Sequence, residues 1–235
     1  RSDLGTAGRR YDFVWIGGGI TGAGAALDAA SRGLRAALIE SHDLAFGTSR
    51  WSSKLAHGGL RYLATGDVGV AFESAVERGH LLTHIAPHLV RGTPMMLPLI
   101  PAVGGKRAGL MGAGFVAGDL LRRAARTPGR ELPAPRRVGP KAARRLAPSL
   151  PEHGLRGGLV IHDGQLTDDA RLVVGVARTA AAHGATVLTK VRATAIDAAG
   201  VQIVDELTGE AATITARAIV NATGPWVDAV RRLED

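Results

Sequence analysis

The sequence predicts an α/β fold built on a strand, glycine turn, helix, strand unit, and three observations carry that prediction. Glycines spaced Gly17-x-Gly19-x-x-Gly22 stand directly between an apolar run and a small-residue helix. An acid, Glu40, closes the next apolar run. A second glycine turn, Asn221 to Trp226 (NATGPW), follows another apolar run close to the last residue.

Taken in order, Tyr11–Ile16 reads as a short buried strand, and the run Ala26–Gly33 continues the glycine turn as a helix that Gly33 ends in a left-handed conformation. Arg35–Glu40 is a second buried strand, joined to the first by a right-handed crossover. Residues 41–63 are rich in Ser, Gly and basic residues with little periodicity, the composition of loops that contact a ligand. Ala71–Ile85 is helical in pattern, with apolar positions at Phe72, Val76, Leu81 and Ile85, and Pro87 stops it. Pro94–Pro101 carries too many prolines for a helix and runs extended. Ala108–Leu121 is a Gly-rich helix, and Thr127–Pro151 is an irregular connection ending in a short helix near Lys141–Leu146. Gly158–His162 is a strand. Thr167 or Asp168 then caps a helix with apolar positions at Leu172, Val173, Val176 and Ala180 and a stop at Gly184. Alternating strands follow over 185–198, 201–207 and, after a turn at 208–210, 212–217. The run 218–226 is a buried strand entering a tight turn.

Composition bounds the function. With 46% hydrophobic and 21% charged residues among 235, the chain is globular. Cysteine is absent, which removes disulfides, thiolate metal sites and catalytic thiols, including electron transfer through a Cys-x-x-Cys pair. No apolar run approaches the roughly 20 residues that span a bilayer, and the start lacks a secretory apolar stretch, so a cytoplasmic location is expected. The chain starts at Arg1 and stops at Asp235 soon after a core strand, and the expectation is a piece truncated from something longer. The net charge of +8 is mostly arginine between Lys106 and Arg156. Such a sign suits an anionic substrate, an anionic membrane surface or a solvated basic face; nucleic acid is set aside, because no helix-turn-helix, zinc-finger or stacking-aromatic pattern accompanies it.

The spacing Gly17, Gly19, Gly22 has a physical rationale. It allows a tight turn, close approach of backbone to a pyrophosphate, and close packing of helix on strand. The helix start offers free N–H groups and a positive dipole end to phosphate. Glu40, about 20 residues on, can accept hydrogen bonds from a ribose, and no arginine follows it to hold a 2′-phosphate, which argues against NADP. The motif alone does not separate FAD from NAD. Downstream, Thr48 to Leu55 supplies hydroxyls and a cation suited to a second phosphate and a ribityl chain. Gly58 and Gly59 would let the backbone lie against a flat ring, although polar loops have this composition without a ligand. The second turn at Ala222-Thr223-Gly224 makes FAD the better reading.

In order along the chain, Gly17–Gly24 (GGGITGAG), Ser52–Leu63 (SSKLAHGGLRYL), Ala86–Val90 (APHLV), Thr167–Val173 (TDDARLV), Lys190–Ile196 (KVRATAI) and Val220–Val227 (VNATGPWV) resemble the N-terminal part of respiratory, FAD-dependent sn-glycerol-3-phosphate dehydrogenases. The Ser52–Leu63 block is the specific one, shared with that family and its oxidase relatives.

The resemblance implies a Rossmann-like FAD-binding domain of the glutathione-reductase/D-amino-acid-oxidase type, with part of a second substrate or cap domain. Residues 1–70 and 157–235 would make the discontinuous, incomplete FAD-binding domain, and 71–156 part of a substrate- or membrane-facing domain. It also implies oxidation of sn-glycerol 3-phosphate to dihydroxyacetone phosphate, with hydride passing to FAD and electrons to quinone, or to oxygen in the oxidases. Gly17, Gly18, Gly19, Ile20, Thr21, Gly22 and Glu40 would hold the ADP half. Thr48, Ser49, Ser53, Lys54 and Leu55 would line the pyrophosphate and flavin side, Val191 and Ala193 the adenine end, and Ala222, Thr223 and Gly224 the returning turn. His57 would take or relay the substrate hydroxyl proton, while Arg61 and Tyr62 would hold substrate. The partners implied are the substrate, quinone and a peripheral site on the inner face of the cell membrane, with a homodimer allowed. The family continues well beyond this endpoint, so the chain alone is expected to be inactive, whether or not it binds FAD.

Three other patterns are set aside. His80, His84 and His88 recur every fourth residue, but Pro87 breaks the helix before the third, so no metal site is expected. Asp163, Asp168 and Asp169 are explained by a strand-end turn and helix capping. Gly104-Gly105-Lys106-Arg107 lacks the Ser or Thr and the earlier glycine of a phosphate loop. Lys106–Arg126, apolar between basic ends, could rest on an anionic membrane or be an ordinary amphipathic helix.

Overall fold

A computed structural model describes residues 9–234, so the start of the chain, where the absence of a secretory stretch was read, lies outside the described residues. In chain order the elements are β1 (Arg10–Ile16), α1 (Ile20–Ser31), β2 (Ala36–Glu40), β3 (Leu55–Ala56), α2 (Leu60–Ala64), α3 (Val68–His80), β4 (Val90–Pro98), α4 (Gly105–Ala124), β5 (Arg136–Val138), α5 (Pro140–Leu146), β6 (Gly158–Leu166), α6 (Asp169–Ala182), β7 (Thr186–Thr189), β8 (Val191–Asp197), β9 (Gly200–Asp205), β10 (Ala211–Asn221) and α7 (Val227–Arg231). They group into two units, Arg1–Ser53 with Asp168–Asp235, and Lys54–Thr167. The expected division at 70 and 156 would assign β3 and β6 to the first unit. Both belong with β4, because β6 pairs with β3, β4 and β5 in one antiparallel sheet.

The first unit is a six-stranded sheet in the order β7-β2-β1-β10-β9-β8. β7, β2, β1 and β10 run parallel, and β9 and β8 complete it antiparallel. Alternation along β2 sends Ala36 and Leu38 to one face and Ala37 and Ile39 to the other, all essentially inaccessible. On the first face α1 packs with α6 through Ala23, Ala26, Ala30, Val173, Ala177 and Ala180; side chains this small let two helices and a sheet approach closely. The second face is covered by Val191, Ala193, Val201, Ile203 and Ile214 from β8, β9 and β10.

Two boundaries differ from the expectation. The segment 212–226, read as two strands, contains one eleven-residue strand that changes partner: Ala211–Ile214 pair antiparallel with β9, and Thr215–Asn221 pair parallel with β1. The run 185–198 is conversely cut in two at Lys190, whose φ of 59° turns the chain out of β7 and into β8.

In the second unit, β4 pairs with β6 alone, which leaves it an edge strand able to carry Pro94 and Pro98. Around Val138, Ala143, Leu155 and Val160 a small core forms. α3 and the helical turn that follows it, Leu81–Ile85, depart from the expected face: Phe72 and Ile85 are exposed, and Ala71, Ala75, Arg78, Gly79 and Leu82 are buried instead. Small residues let the helix lie close, and Arg78 enters because a buried acid awaits it. Among the described residues no helix is long and apolar enough to cross a membrane.

Candidate functional site

The register of the first unit creates the site. Ile16 and Asn221 are partners at the carboxyl ends of neighbouring parallel strands, so the turns that leave β1 and β10 emerge side by side. The Ala222 N–H donates to the Ile16 carbonyl at 2.8 Å, and the Gly17 N–H donates to that of Ile39 at 2.8 Å. A crevice outside the carboxyl ends of parallel strands is where open α/β sheets bind ligands.

Glycine is required there by contact. Gly17 has φ 115°, and a Cβ on it would lie 2.6 Å from the Ala222 carbonyl oxygen. A Cβ on Gly22 would overlap the Gly17 carbonyl, so the first turn of α1 can press onto the glycine loop only without a side chain. Gly19 caps α1 without a side chain, so the helix's opening N–H groups and positive dipole end are left to other partners; the N–H of Ile20 donates to Ser49 Oγ at 3.0 Å. Glu40 ties the loop from the other side: Oε2 accepts the Gly18 N–H at 2.7 Å and Oε1 the His42 N–H at 2.8 Å. In the second turn, Asn221 Oδ1 accepts the Thr223 hydroxyl at 2.6 Å, and its amide donates to the Val227 carbonyl at 2.9 Å.

These elements line one cleft of about 410 Å³. Of the residues singled out in the sequence, Gly17, Gly19, Ile20, Thr21, Glu40, Thr48, Ser49, Val191, Ala193, Ala222, Thr223 and Gly224 all face it. Gly18 and Gly22 lie behind, bonded to Glu40 and packed on Gly17 respectively. The loop is anchored by Ser52, whose Oγ donates to Asp169 Oδ2 at 2.7 Å at the start of α6. Cleft residues to which the sequence reading gave no role include His42, Phe46 and Trp226. The His42 and Phe46 rings stack with centroids 4.0 Å apart, and Trp226 follows at 6.3 Å. Isolated aromatics in a polar loop give no periodic signal. The cleft suits an extended dinucleotide in three respects: a glycine-lined floor that a Cβ would fill, a helix N-terminus for anionic phosphate, and a carboxylate at the end of the second strand. Its size is in the usual range for cofactor sites, roughly 300–1,000 Å³.

Lys54, Leu55, His57, Arg61 and Tyr62 belong to the second unit. Arg61 and Tyr62 stand exposed on α2. The His57 side chain is 63% exposed, and its Nδ1 lies 3.1 Å from Asp163 Oδ2. Asp163 is not in a strand-end turn, as the sequence suggested; β6 continues to Leu166 and buries it in mid-strand. Its other oxygen, Oδ1, takes the guanidinium of Arg78 at 2.7 Å. Asp168 does cap α6, accepting the Arg171 N–H at 3.0 Å. Burial acts first on His162, holding its imidazole below the ordinary range, with the charge of Arg136 adding to the effect and a bond to the Pro133 backbone opposing it.

Known proteins resemble this chain throughout its length. Glycerol-3-phosphate dehydrogenase 1 of Mycobacterium tuberculosis is 55% identical over 219 residues, 93% of this chain and 42% of that protein. The aerobic glycerol-3-phosphate dehydrogenase of Staphylococcus aureus is 40% identical over 94% of this chain and 39% of its own length. A solved structure of the Bacillus halodurans glycerol-3-phosphate dehydrogenase complexed with FAD superposes with a TM-score of 0.69 at 30% identity, covering 97% of this chain and 37% of that one. The L-α-glycerophosphate oxidase of Mycoplasma pneumoniae, solved with FAD bound, shares the fold at a TM-score of 0.66 and 17% identity, over 96% of this chain and 57% of its own. The chain thus spans about two fifths of the length of the dehydrogenases it matches. Residues 12–235 match the family described as FAD dependent oxidoreductase, and the chain belongs to that family.

Proposed function

We propose that this chain is the cofactor-binding part of a flavoenzyme that oxidises sn-glycerol 3-phosphate to dihydroxyacetone phosphate. The observation that carries the reading is the convergence of both glycine turns and Glu40 on one cleft, in a chain 55% identical to a glycerol-3-phosphate dehydrogenase. FAD, when bound, supplies a two-electron acceptor for hydride.

The chain's own residues bind and orient. Glu40 accepts from ribose hydroxyls, and the N-terminus of α1 with Gly17, Gly18, Gly19, Ile20, Thr21 and Gly22 receives the pyrophosphate. Thr48, Ser49, Ser53, Lys54 and Leu55 hold the flavin side, Val191 and Ala193 the adenine end, and Ala222, Thr223 and Gly224 the returning turn. His57 takes the substrate hydroxyl proton, Arg61 pairs with the phosphate as a fork of donors, and Tyr62 closes beside it.

Quinone is the proposed acceptor, reached from the membrane surface on the cytoplasmic side. α4 supports that placement: Leu110, Val116 and Leu120 are all at least 58% exposed, between Lys106 and Arg107 at one end and Arg123 at the other. Peroxide formed in step with substrate oxidation would reassign the acceptor to oxygen. The test of the whole reading is anaerobic addition of glycerol 3-phosphate to the full natural protein after loading with FAD and desalting. Retained flavin that bleaches supports it; a colourless protein, or flavin that glycerol 3-phosphate leaves oxidised, overturns it.

A further inference from the structure

We infer that Asp163, braced by Arg78, is the positioning residue for His57: it fixes the proton on Nδ1 and leaves Nε2 to accept the proton of the substrate hydroxyl. The inference rests on the role proposed above for His57, and it concerns residues of the second unit alone.

Asp163 is 5% exposed and both its oxygens are engaged. Oδ1 accepts from Arg78 Nη1 at 2.7 Å and from the Gly164 N–H at 3.0 Å. Oδ2 stands 3.1 Å from His57 Nδ1. Arginine is never deprotonated in proteins and has no acceptor. It therefore holds Oδ1 as an acceptor, and in the inferred arrangement Oδ2 of the same ion-paired carboxylate accepts as well, from hydrogen on the imidazole nitrogen that faces it. Nε2 then has the free lone pair.

Surface anchoring does not account for this arrangement. Arg78 is 7% exposed, and burying a guanidinium with a carboxylate costs more solvation than an exposed histidine returns. The flanking sequence makes room for it as well. A Cβ on Gly58, next to His57, would overlap the Arg78 guanidinium, and one on Gly164, next to Asp163, would lie 3.2 Å from Arg78 Cγ. Glycine on each side thus clears the passage by which Arg78 reaches the acid. The exposed part of the imidazole opens on a groove of about 350 Å³ lined by Val70, Glu73, Ser74 and Glu77.

The chemistry balances. As the substrate C2–H bond breaks, its hydrogen leaves with the electron pair for the flavin, which is reduced. The hydroxyl O–H bond breaks, its proton passes to His57 Nε2, and the electrons it leaves close the C=O bond of the product. The imidazolium formed is stabilised by Asp163 through Nδ1–H, as a buried acid does for other catalytic histidines.

The test is Asp163→Asn in the full natural protein loaded with FAD. Arg78 and the Gly164 N–H both require an acceptor, so the new side chain must give them its oxygen and turn its NH₂ toward Nδ1. That forces hydrogen onto Nε2, which can no longer take a proton. We expect kcat to fall by about a hundredfold or more, the scale of a lost general base, with flavin content and KM for glycerol 3-phosphate unchanged. A kcat within threefold of the unaltered protein would overturn the inference. Nitrogen-15 spectra of histidine-labelled protein, with the His57 signal assigned by its loss in His57→Gln, give an answer that does not depend on activity. Hydrogen on Nδ1 of the unaltered protein supports the inference, and hydrogen on Nε2 overturns it even if the Asn variant fails to fold. If the unaltered protein leaves glycerol 3-phosphate untouched while its Nδ1 is protonated, the substrate assignment fails and the positioning stands.

Discussion

Replacing Glu40 by glutamine keeps shape and size and removes one acceptor, so its effect can be worked from the two backbone bonds, the Ser41 hydroxyl that also donates to Oε1 at 3.3 Å being free to rotate. The carboxylate accepts the Gly18 N–H on Oε2 and the His42 N–H on Oε1, at 2.7 and 2.8 Å. An amide has a single oxygen, so one N–H group must face an NH₂. Losing a hydrogen bond to a charged partner at this largely enclosed position, 13% exposed, costs about 1.5–3 kcal/mol. That is the expected drop in unfolding free energy of the flavin-free full natural protein, read from urea denaturation. Gly18 sits in the glycine loop, so FAD should feel the same defect: at about 1.4 kcal/mol per decade, its Kd should rise roughly ten- to a hundredfold in a fluorescence titration. Glu40→Asp is the companion, since a side chain one methylene shorter keeps the charge but cannot span both N–H groups. A glutamine variant with unfolding free energy and FAD affinity both unaltered would refute the reasoning, because the loop would then not depend on the carboxylate at all.

Gly22→Ala puts a Cβ into the Gly17 carbonyl, a backbone clash that only displacement of α1 or the loop relieves; FAD should no longer survive desalting, and a normal flavin absorbance would refute the contact. Arg61→Ala, on α2, should raise KM for glycerol 3-phosphate by about tenfold or more with bound flavin unchanged, since a paired charge is worth at least about 1.4 kcal/mol; unaltered kinetics would remove Arg61 from the site. Burial holds His162 below the ordinary histidine value of 6.5, so the unfolded chain binds the proton more readily than the folded one. Its contribution to stability is therefore complete above about pH 6.5 and is lost as pH falls below that toward the folded value. His162→Gln should flatten the fall in Tm between pH 7.5 and 5.5, and identical slopes in the two proteins would refute the assignment.

Much of the cleft beside the two glycine turns was legible in the sequence because it is made of backbone. A positive φ or an approach too close for a Cβ leaves glycine no substitute, so Gly17 and Gly22 announce themselves wherever the chain places them. Glu40 is legible for a related reason: it ends a strand whose length and polarity fix where its side chain must stand. The partner-changing strand β10 was not legible, because Thr215 to Arg217 look like the end of a hairpin in local pattern. Only the parallel pairing with β1, some 200 residues away, extends the strand through them. The sequence displays both glycine turns, but their adjacency is a property of that register.

The second unit shows that a motif glycine can answer to a contact the sequence does not display. Gly58 and Gly59 look like room for a flat ring. Yet Gly58 is already required by Arg78, whose guanidinium occupies the space of its missing Cβ. Arg78 itself was unreadable, since helical periodicity counts apolar positions and assigns a charged one to solvent. On α3 and the turn after it that rule gave the face marked by Phe72 and Ile85, which is exposed, while the buried face of α3 carries Ala71, Ala75 and Arg78. A buried arginine needs a buried acid, and Asp163 lies 85 residues further on, in a strand whose own pattern also gives no hint of an ion pair. The glycines beside His57 and beside Asp163 are the only local trace of the pair. Two glycines that flank unrelated polar residues, with no turn at either, are thus a signal that a long side chain passes between them.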